Sequence, residues 1–365
     1  MDVWQRELRL RVRYDFERSH SCENGFQGSS FLGSHSPGGN LPVALTPFIV
    51  ELLEKTKVSS PQDYEALRIQ LLPSAKEAEV SPHELNDPLG EHRHRITSRL
   101  VHQYKNRCLL LATGSCICYC RHCFRRVYTA REEGFISSDE LAYVCAYLSS
   151  HPEIQEILVS GGDPLTASDE KLASLLMDIR RASPDIIIRL CTRAPLFLPS
   201  RFTSELLEIL RSCRPLWIIP HINHSAELAP ETEEALCRIR DSGIPMQSQT
   251  VLLRGVNDSV SALAGLFNRL TALGVKPGYL FQGDMAPGTS HLRVPLRTGL
   301  ALYRQLRGEL SGLSTPVYAV DLPDGGGKFN LLEIETSFVR ETPEGWFFKR
   351  DDGREWFYPA EEQRL

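Results

Sequence analysis

Thr113-Gly-Ser-Cys-Ile-Cys-Tyr-Cys-Arg-His-Cys-Phe-Arg-Arg126 sets Cys116, Cys120 and Cys123 with three residues, then two, between them. Three thiolates on one short loop can hold three irons of a 4Fe–4S cube and leave the fourth iron open to a ligand. A structural zinc site wants four ligands, usually in CxxC-like pairs, and four-cysteine iron–sulfur runs use another spacing. Cys118 lies inside the stretch but breaks the three-then-two pattern, and reads as packing.

The rest of the composition narrows the class. At 365 residues the chain has the length of an α/β barrel with appendages, and its 42% hydrophobic content can bury a sizeable core. A net charge of −5 argues against a general nucleic-acid binder. No apolar run reaches the length of a membrane span. Ten cysteines at irregular spacing, with no signal peptide ahead of them, read as reduced thiols of a cytoplasmic protein rather than a disulfide framework.

Working outward from the cysteine loop, apolar strand-like runs alternate with helical ones. Strands are expected at Cys108–Ala112, Ile154–Ser160, Ile186–Cys191, Leu216–Pro220, Gln249–Leu253 and Tyr279–Gln282. Helical patterns lie between them, and Ser137 with Glu140 forms a capping box ahead of Leu141–Leu148. Most of the strand runs are apolar throughout, as parallel strands covered on both faces would be. About six strand–helix units are too few to close an eight-fold barrel, so the expected fold is α/β, a partial, open β/α barrel. Ligands of such sheets bind at the carboxyl ends of the strands, which is where the cysteine loop falls.

The remaining segments are appendages. Residues 1–43 read as a flexible N-terminal extension whose Gly25–Asn40 tract is rich in Gly, Ser and Pro. Residues 44–106 read as a helical cap, with helices at Pro47–Lys55 and Pro61–Leu72 and a turn at Asp87-Pro-Leu-Gly-Glu91. The barrel spans 107–328, and 329–365 end in a hairpin about Asp352-Gly353.

Asp324-Gly-Gly-Gly-Lys328 is a second candidate centre. It lacks the spacing and the following Ser or Thr of a phosphate loop. On its own it reads as a surface loop. The alternative is a lysine that carries pyridoxal 5′-phosphate, with glycines that let it swing away when substrate arrives.

The cysteine spacing resembles that of the radical S-adenosylmethionine (SAM) superfamily. Within it the sequence resembles the lysine 2,3-aminomutase family, which combines such a cluster with a pyridoxal phosphate lysine. The matching stretches cover roughly two thirds of the chain. They include residues 116–126, Ser160-Gly-Gly-Asp-Pro-Leu165, Thr192-Arg-Ala-Pro195, His221-Ile-Asn-His224, Ser248–Asp258 and Val320–Lys328. The resemblance implies that Cys116, Cys120 and Cys123 bind the 4Fe–4S cluster. Gly161, Gly162, Asp163 and Gln249 face SAM, the glycines because backbone must approach the ligand closely. Lys328 carries pyridoxal phosphate and Arg107 helps hold its phosphate, although Gln103 replaces a second family arginine. Arg125 pairs with the substrate α-carboxylate, and Asp284 and Asp321 bind the far ammonium of lysine. Ser259 replaces a family zinc cysteine and no cysteine follows Cys237, so no structural zinc is expected. The implied reaction moves the α-amino group of L-lysine to the β-carbon. A branch that makes β-lysine for elongation factor P, and a radical SAM enzyme acting on another amino acid or a peptide, stay open. The implied partners are an amino acid, L-lysine in view of the two aspartates, and a reducing electron donor such as flavodoxin or ferredoxin. Homo-oligomerisation is left open.

Overall fold

The structure is a computed structural model that describes residues 3–9, 41–129, 134–331, 339–349 and 353–360. The Gly25–Asn40 tract, Cys22 and Asp352 lie outside the described residues.

The centre is a nine-stranded sheet whose spatial order follows the sequence. Its strands are β1 (Leu100–Tyr104), β2 (Arg107–Thr113), β3 (Glu156–Gly161), β4 (Ile187–Thr192), β5 (Leu216–Pro220), β6 (Met246–Val251), β7 (Val275–Phe281), β8 (Val317–Leu322) and β9 (Gly327–Asn330). Strands β2 to β8 run parallel, while β1 and β9 are antiparallel additions at the two edges. Side chains from strands across the whole sheet line one cavity, which requires the sheet to curl into an open half-barrel. The expected partial barrel is therefore present. The six expected strands correspond to β2–β7; the structure adds a seventh parallel strand, β8, and two antiparallel edge strands, of which β1 falls in the segment read as a helical cap.

The six crossovers between successive parallel strands each carry a helix. In chain order these are Ser138–Ser150, Asp169–Ala182, Ser204–Ser212, Pro230–Asp241, Val260–Ala272 and Leu296–Glu309. Their starts follow from local chemistry. Ser137 accepts from the Glu140 amide and Glu140 accepts back from Ser137, the capping box legible in the sequence. Ser259 accepts from the Ala262 amide, so the residue standing where the family has a cysteine caps a helix here.

The strands are not apolar on both faces. In β3 and β4, Ile157, Val159, Ile188 and Leu190 are fully buried, whereas Glu156, Ser160, Arg189 and Cys191 are partly exposed. A closed eight-stranded barrel fills its interior with side chains. This half-barrel is hollow, so its inner face can carry an ion pair such as Arg189–Glu156 at 3.0 Å.

Two helices, Pro47–Ser59 and Pro61–Leu71, pack below the cysteine loop. Each starts with a capping Thr or Ser followed by proline. Within the expected N-terminal extension, Val3–Arg9 is helical, and Trp4 is buried with the Arg201 guanidinium 4.0 Å from the centre of its ring. At the other end, strands Val339–Thr342, Gly345–Lys349 and Glu355–Pro359 form an antiparallel meander, one strand more than the expected hairpin. Tyr358 Oη anchors it by donating to Gly283 O at 2.9 Å.

The cysteine loop is clamped from below by one buried carboxylate. Glu77 accepts from Arg121 Nε at 2.9 Å and Nη2 at 2.5 Å, and from Arg126 Nη2 at 2.7 Å. Burial alone would raise the Glu77 pKa, but the two guanidiniums outweigh it and hold the carboxyl below its ordinary value. Removing one partner of such a buried set costs about 3–5 kcal/mol. Glu77→Ala is therefore expected to lower stability by about that much, read as a drop in the urea midpoint of the apoprotein. A loss within ordinary surface-mutation scatter would refute the clamp.

Candidate active site

All twelve residues singled out in the sequence line one cavity of about 450 Å³ inside the half-barrel. Cys116, Cys120, Cys123 and Arg125 come from the loop after β2, and Gly161, Gly162 and Asp163 from the end of β3. Gln249 lies on β6, Asp284 follows β7, and Asp321 and Lys328 face each other in the β8–β9 register. Arg107 opens β2 at the opposite end of that strand from the cysteines.

The three cysteines are half-buried and close enough to interact. Burial pushes the Cys116 thiol well above its usual range, and its cysteine neighbours and Asp163 add to the shift. Burial, then Cys120, pushes Cys123 up to about 11. Protein alone thus disfavours the thiolate form of Cys116 and Cys123, and the positive charge of bound iron would reverse that. The donor set fits a cluster held by three cysteines. Cys118 is buried among core residues, in line with its reading as packing.

Gly161 and Gly162 are required by the chain itself. Gly161 has φ +105°, and a Cβ there would meet Thr113 O at 2.4 Å. A Cβ on Gly162 would meet Ser115 O at 2.1 Å. The amides of Gly162 and Asp163 donate to Thr113 O and Ser115 O, at 2.6 and 2.8 Å, joining this turn to the cysteine loop. The close approach seen is backbone on backbone. Asp163 is likewise engaged with protein, accepting from Thr192 Oγ1, Arg193 N and Leu165 N.

Three side chains missed from the sequence belong to this wall. Arg193 Nη1 donates to Cys120 Sγ at 2.9 Å. His122 and His221 meet edge to face at 5.3 Å between ring centres. Burial, then Arg193, depresses His221 to about 3, so it is neutral. His122 Nδ1 is buried with no hydrogen-bond partner, and His122 lines the cavity, so a polar ligand has an unsatisfied atom to meet. Both Arg193 and His221 sat inside motifs quoted from the sequence, but nothing in those motifs shows a contact with a cysteine 73 residues away.

On the opposite wall Lys328 Nζ lies 2.9 Å from both oxygens of Asp321 and 3.9 Å from the ring centre of Phe281. The Tyr104 hydroxyl accepts from the Lys328 amide at 2.9 Å. Arg107 stacks over the Tyr104 ring at 3.9 Å. Gln103 donates to Gly325 O at 3.4 Å, so the side chain standing where the family has a second arginine is tied to the glycine turn. An amine, an apolar ring beneath it and a guanidinium at the rim form a set that fits pyridoxal phosphate.

The glycines before Lys328 do not act as slack. Asp324, Gly325 and Gly327 all have positive φ and make the β8–β9 turn. The turn is pinned: Asp324 N donates to Pro88 O at 2.9 Å, and a Cβ on Gly326 would meet Trp356 Cδ1 at 2.5 Å. Flexibility for a swinging lysine must come from its own side chain.

Arg125 is already paired. Its Nη2 lies 2.5 Å from Glu91 Oε1, and both side chains are largely buried. Asp284 is half-buried near Asp321, and desolvation, then Asp321, pushes its carboxyl up from the ordinary 3.8 to about 8.

The fold and this cavity define a radical SAM type of barrel with three cysteines on the loop after its first parallel strand. Residues 106–211 match the family described as 4Fe-4S single cluster domain. A protein of Treponema pallidum (strain Nichols) named "Putative L-lysine 2,3-aminomutase" is 54% identical over 74% of this chain and 77% of its own length. The L-lysine 2,3-aminomutase of Fusobacterium nucleatum is 37% identical over 80% of this chain and 68% of that protein. The glutamate 2,3-aminomutase of Clostridioides difficile is 32% identical over 79% and 67%. The chain belongs to the lysine 2,3-aminomutase family of the radical SAM superfamily, and is an isomerase of the aminomutase class. Among the described residues no helix is long and apolar enough to cross a membrane.

The Asp284 shift has a measurable sign. Between about pH 4 and pH 8 the folded chain holds a proton that the unfolded chain has released. The stability this group contributes is full below its unfolded value and is lost as pH rises through its folded one. Asp284→Asn removes that loss, so the melting temperature of the apoprotein should fall less between pH 5 and pH 8.5, roughly bracketing the window, than in wild type. Equal falls would contradict a protonated Asp284.

Proposed function

We propose that the chain moves the α-amino group of L-lysine to the β-carbon, giving β-lysine, with a 4Fe–4S cluster, SAM and pyridoxal phosphate. When bound, the cluster and SAM supply a 5′-deoxyadenosyl radical, and pyridoxal phosphate supplies the carrier for the migrating nitrogen. The observation that supports this reading is a single cavity walled by Cys116, Cys120 and Cys123 on one side and by Lys328, Asp321 and Asp284 on the other.

In this reading Cys116, Cys120 and Cys123 hold the cluster, and Gln249 and His122 offer polar atoms to SAM. Arg107 at the rim faces the cofactor phosphate. Arg125 takes the substrate α-carboxylate as a planar fork, a geometry it now uses on Glu91. Its place two residues beyond Cys123 sets the substrate α-carbon beside the radical source.

Asp321 serves two cations in turn. Its ion pair with Lys328 must part before the Lys328 amine can take up the cofactor. That leaves two carboxylates, Asp321 and Asp284, without a cation between them. The ammonium of lysine supplies one and draws Asp284 into its charged form. The carboxylate of a glutamate substrate would meet repulsion at the same place.

The test is an oxygen-free assay of reconstituted protein with lysine, arginine, glutamate and alanine, with the product identified by mass and NMR. β-Lysine is the expected product, and no isomer of lysine would overturn the reading. Lys328→Ala should remove the pyridoxal absorbance and turnover yet keep the iron–sulfur absorbance. Asp284→Asn or Asp321→Asn should lower kcat/KM for lysine about a hundredfold or more, the scale of losing one partner of a desolvated charge pair. Losses of equal size for every amino acid would count against their role at the far ammonium.

A further inference from the structure

We propose that Arg193 sets the reduction potential of the cluster by donating to a ligand sulfur, and that Glu227 tempers its effect. The inference rests on reading Cys116, Cys120 and Cys123 as cluster ligands, and is independent of which amino acid is the substrate.

Arg193 directly follows β4, and its guanidinium is fixed from several directions. Nη1 donates to Cys120 Sγ at 2.9 Å. Nη2 donates to Glu227 Oε2 at 2.8 Å and to Gln70 Oε1 at 3.3 Å. The Phe197 ring lies 4.4 Å from the guanidinium carbon, and the Arg193 amide donates to Asp163 Oδ2 at 2.9 Å. Arg193 and Glu227 are 7% and 3% exposed, so water screens neither charge effectively. Arg125 and Arg126, the guanidiniums carried by the cysteine loop itself near Cys123, are paired with Glu91 and Glu77 instead.

A cluster takes one electron from a low-potential one-electron donor, and no bond is made or broken. The added negative charge spreads over iron and the ligand sulfurs. A fixed cation hydrogen-bonded to one of those sulfurs stabilises the reduced form more than the oxidised form, and so raises the potential. Glu227 sits on the far side of the same guanidinium and partly offsets it. The two charges should therefore act with opposite sign. A purely structural pair would not behave so, because breaking it from either side would disturb the loop alike.

Full-length protein with a reconstituted cluster, without substrate, is titrated stepwise with dithionite and followed by EPR. Arg193→Met should move the midpoint to more negative potential, and Glu227→Gln, which keeps the acceptor but removes the charge, to more positive. Arg193→Lys should fall between Arg193→Met and wild type. Shifts of the same sign in Arg193→Met and Glu227→Gln, or none in either, would overturn the proposal. Should Arg193→Met fail to assemble a cluster, Glu227→Gln decides, and an unmoved midpoint there overturns it. A wild-type protein that gives no reduced 4Fe–4S signal would instead overturn the cluster reading beneath it.

Discussion

The fixing of one loop carries the rest of the site. The cysteine stretch has no regular structure of its own to hold it, and burial holds the Cys116 and Cys123 thiols against ionisation. It is held from below by the Glu77 carboxylate on Arg121 and Arg126, and from the side by the amides of Gly162 and Asp163. Two arginines that sit in the sequence as part of a basic run, and would pass for solvated charge, are thus among the most buried side chains of the molecule. Burying three ions is costly, and the arrangement survives because each meets an opposite charge at hydrogen-bond distance. What the chain gains is a loop whose shape is set before iron arrives.

The same rule of pairing governs the cavity. Arg125 rests on Glu91, Lys328 on Asp321, and Asp284 keeps its proton. Arg125 and Lys328 are thus each met by a carboxylate, and the charge of Asp284 is suppressed. On the proposed reading, a zwitterionic ligand with a second ammonium would take over these pairings, so that binding need not bury a net charge. Glu91 deserves its place in that account because it holds the Arg125 fork in the plane that a carboxylate requires.

Much of this was legible in the chain. The cysteine spacing, the alternation of apolar and helical runs and the Ser137–Glu140 box are local signals, and local signals survive translation into structure. The β1–β2 hairpin had a signal too: two apolar-led runs separated by Lys105-Asn106. It was hidden because Leu100–Tyr104 is only five residues long and half polar. The inner polar face of β3 and β4 was masked by the assumption that parallel strands are covered twice. Contacts such as Arg193–Cys120 or Arg125–Glu91 join residues 73 and 34 positions apart, and no spacing rule reaches that far. The glycines at 161, 162 and 325–327 were visible as special, but the reason was not. A missing Cβ records that something comes close without recording whether it is ligand or chain.

That ambiguity resolves at Lys328 in a way that bears on how the two halves of the chemistry meet. β2 carries the cysteine loop at one side of the sheet and β9 carries Lys328 at its far edge, seven strands away in a flat layer. Curling alone brings them to one cavity. A lysine on a slack loop could not use that curvature, because its amine would sample volumes larger than the cavity. The pinned turn at 323–326, gripped by Pro88, Gly90 and Trp356, converts the curl of the sheet into a fixed root for the side chain. The C-terminal meander that supplies Trp356, and the Asp87–Glu91 turn that supplies both Pro88 and Glu91, are therefore part of the site. The Asp87–Glu91 turn ties the amine-bearing edge and Arg125 to the same short stretch of chain.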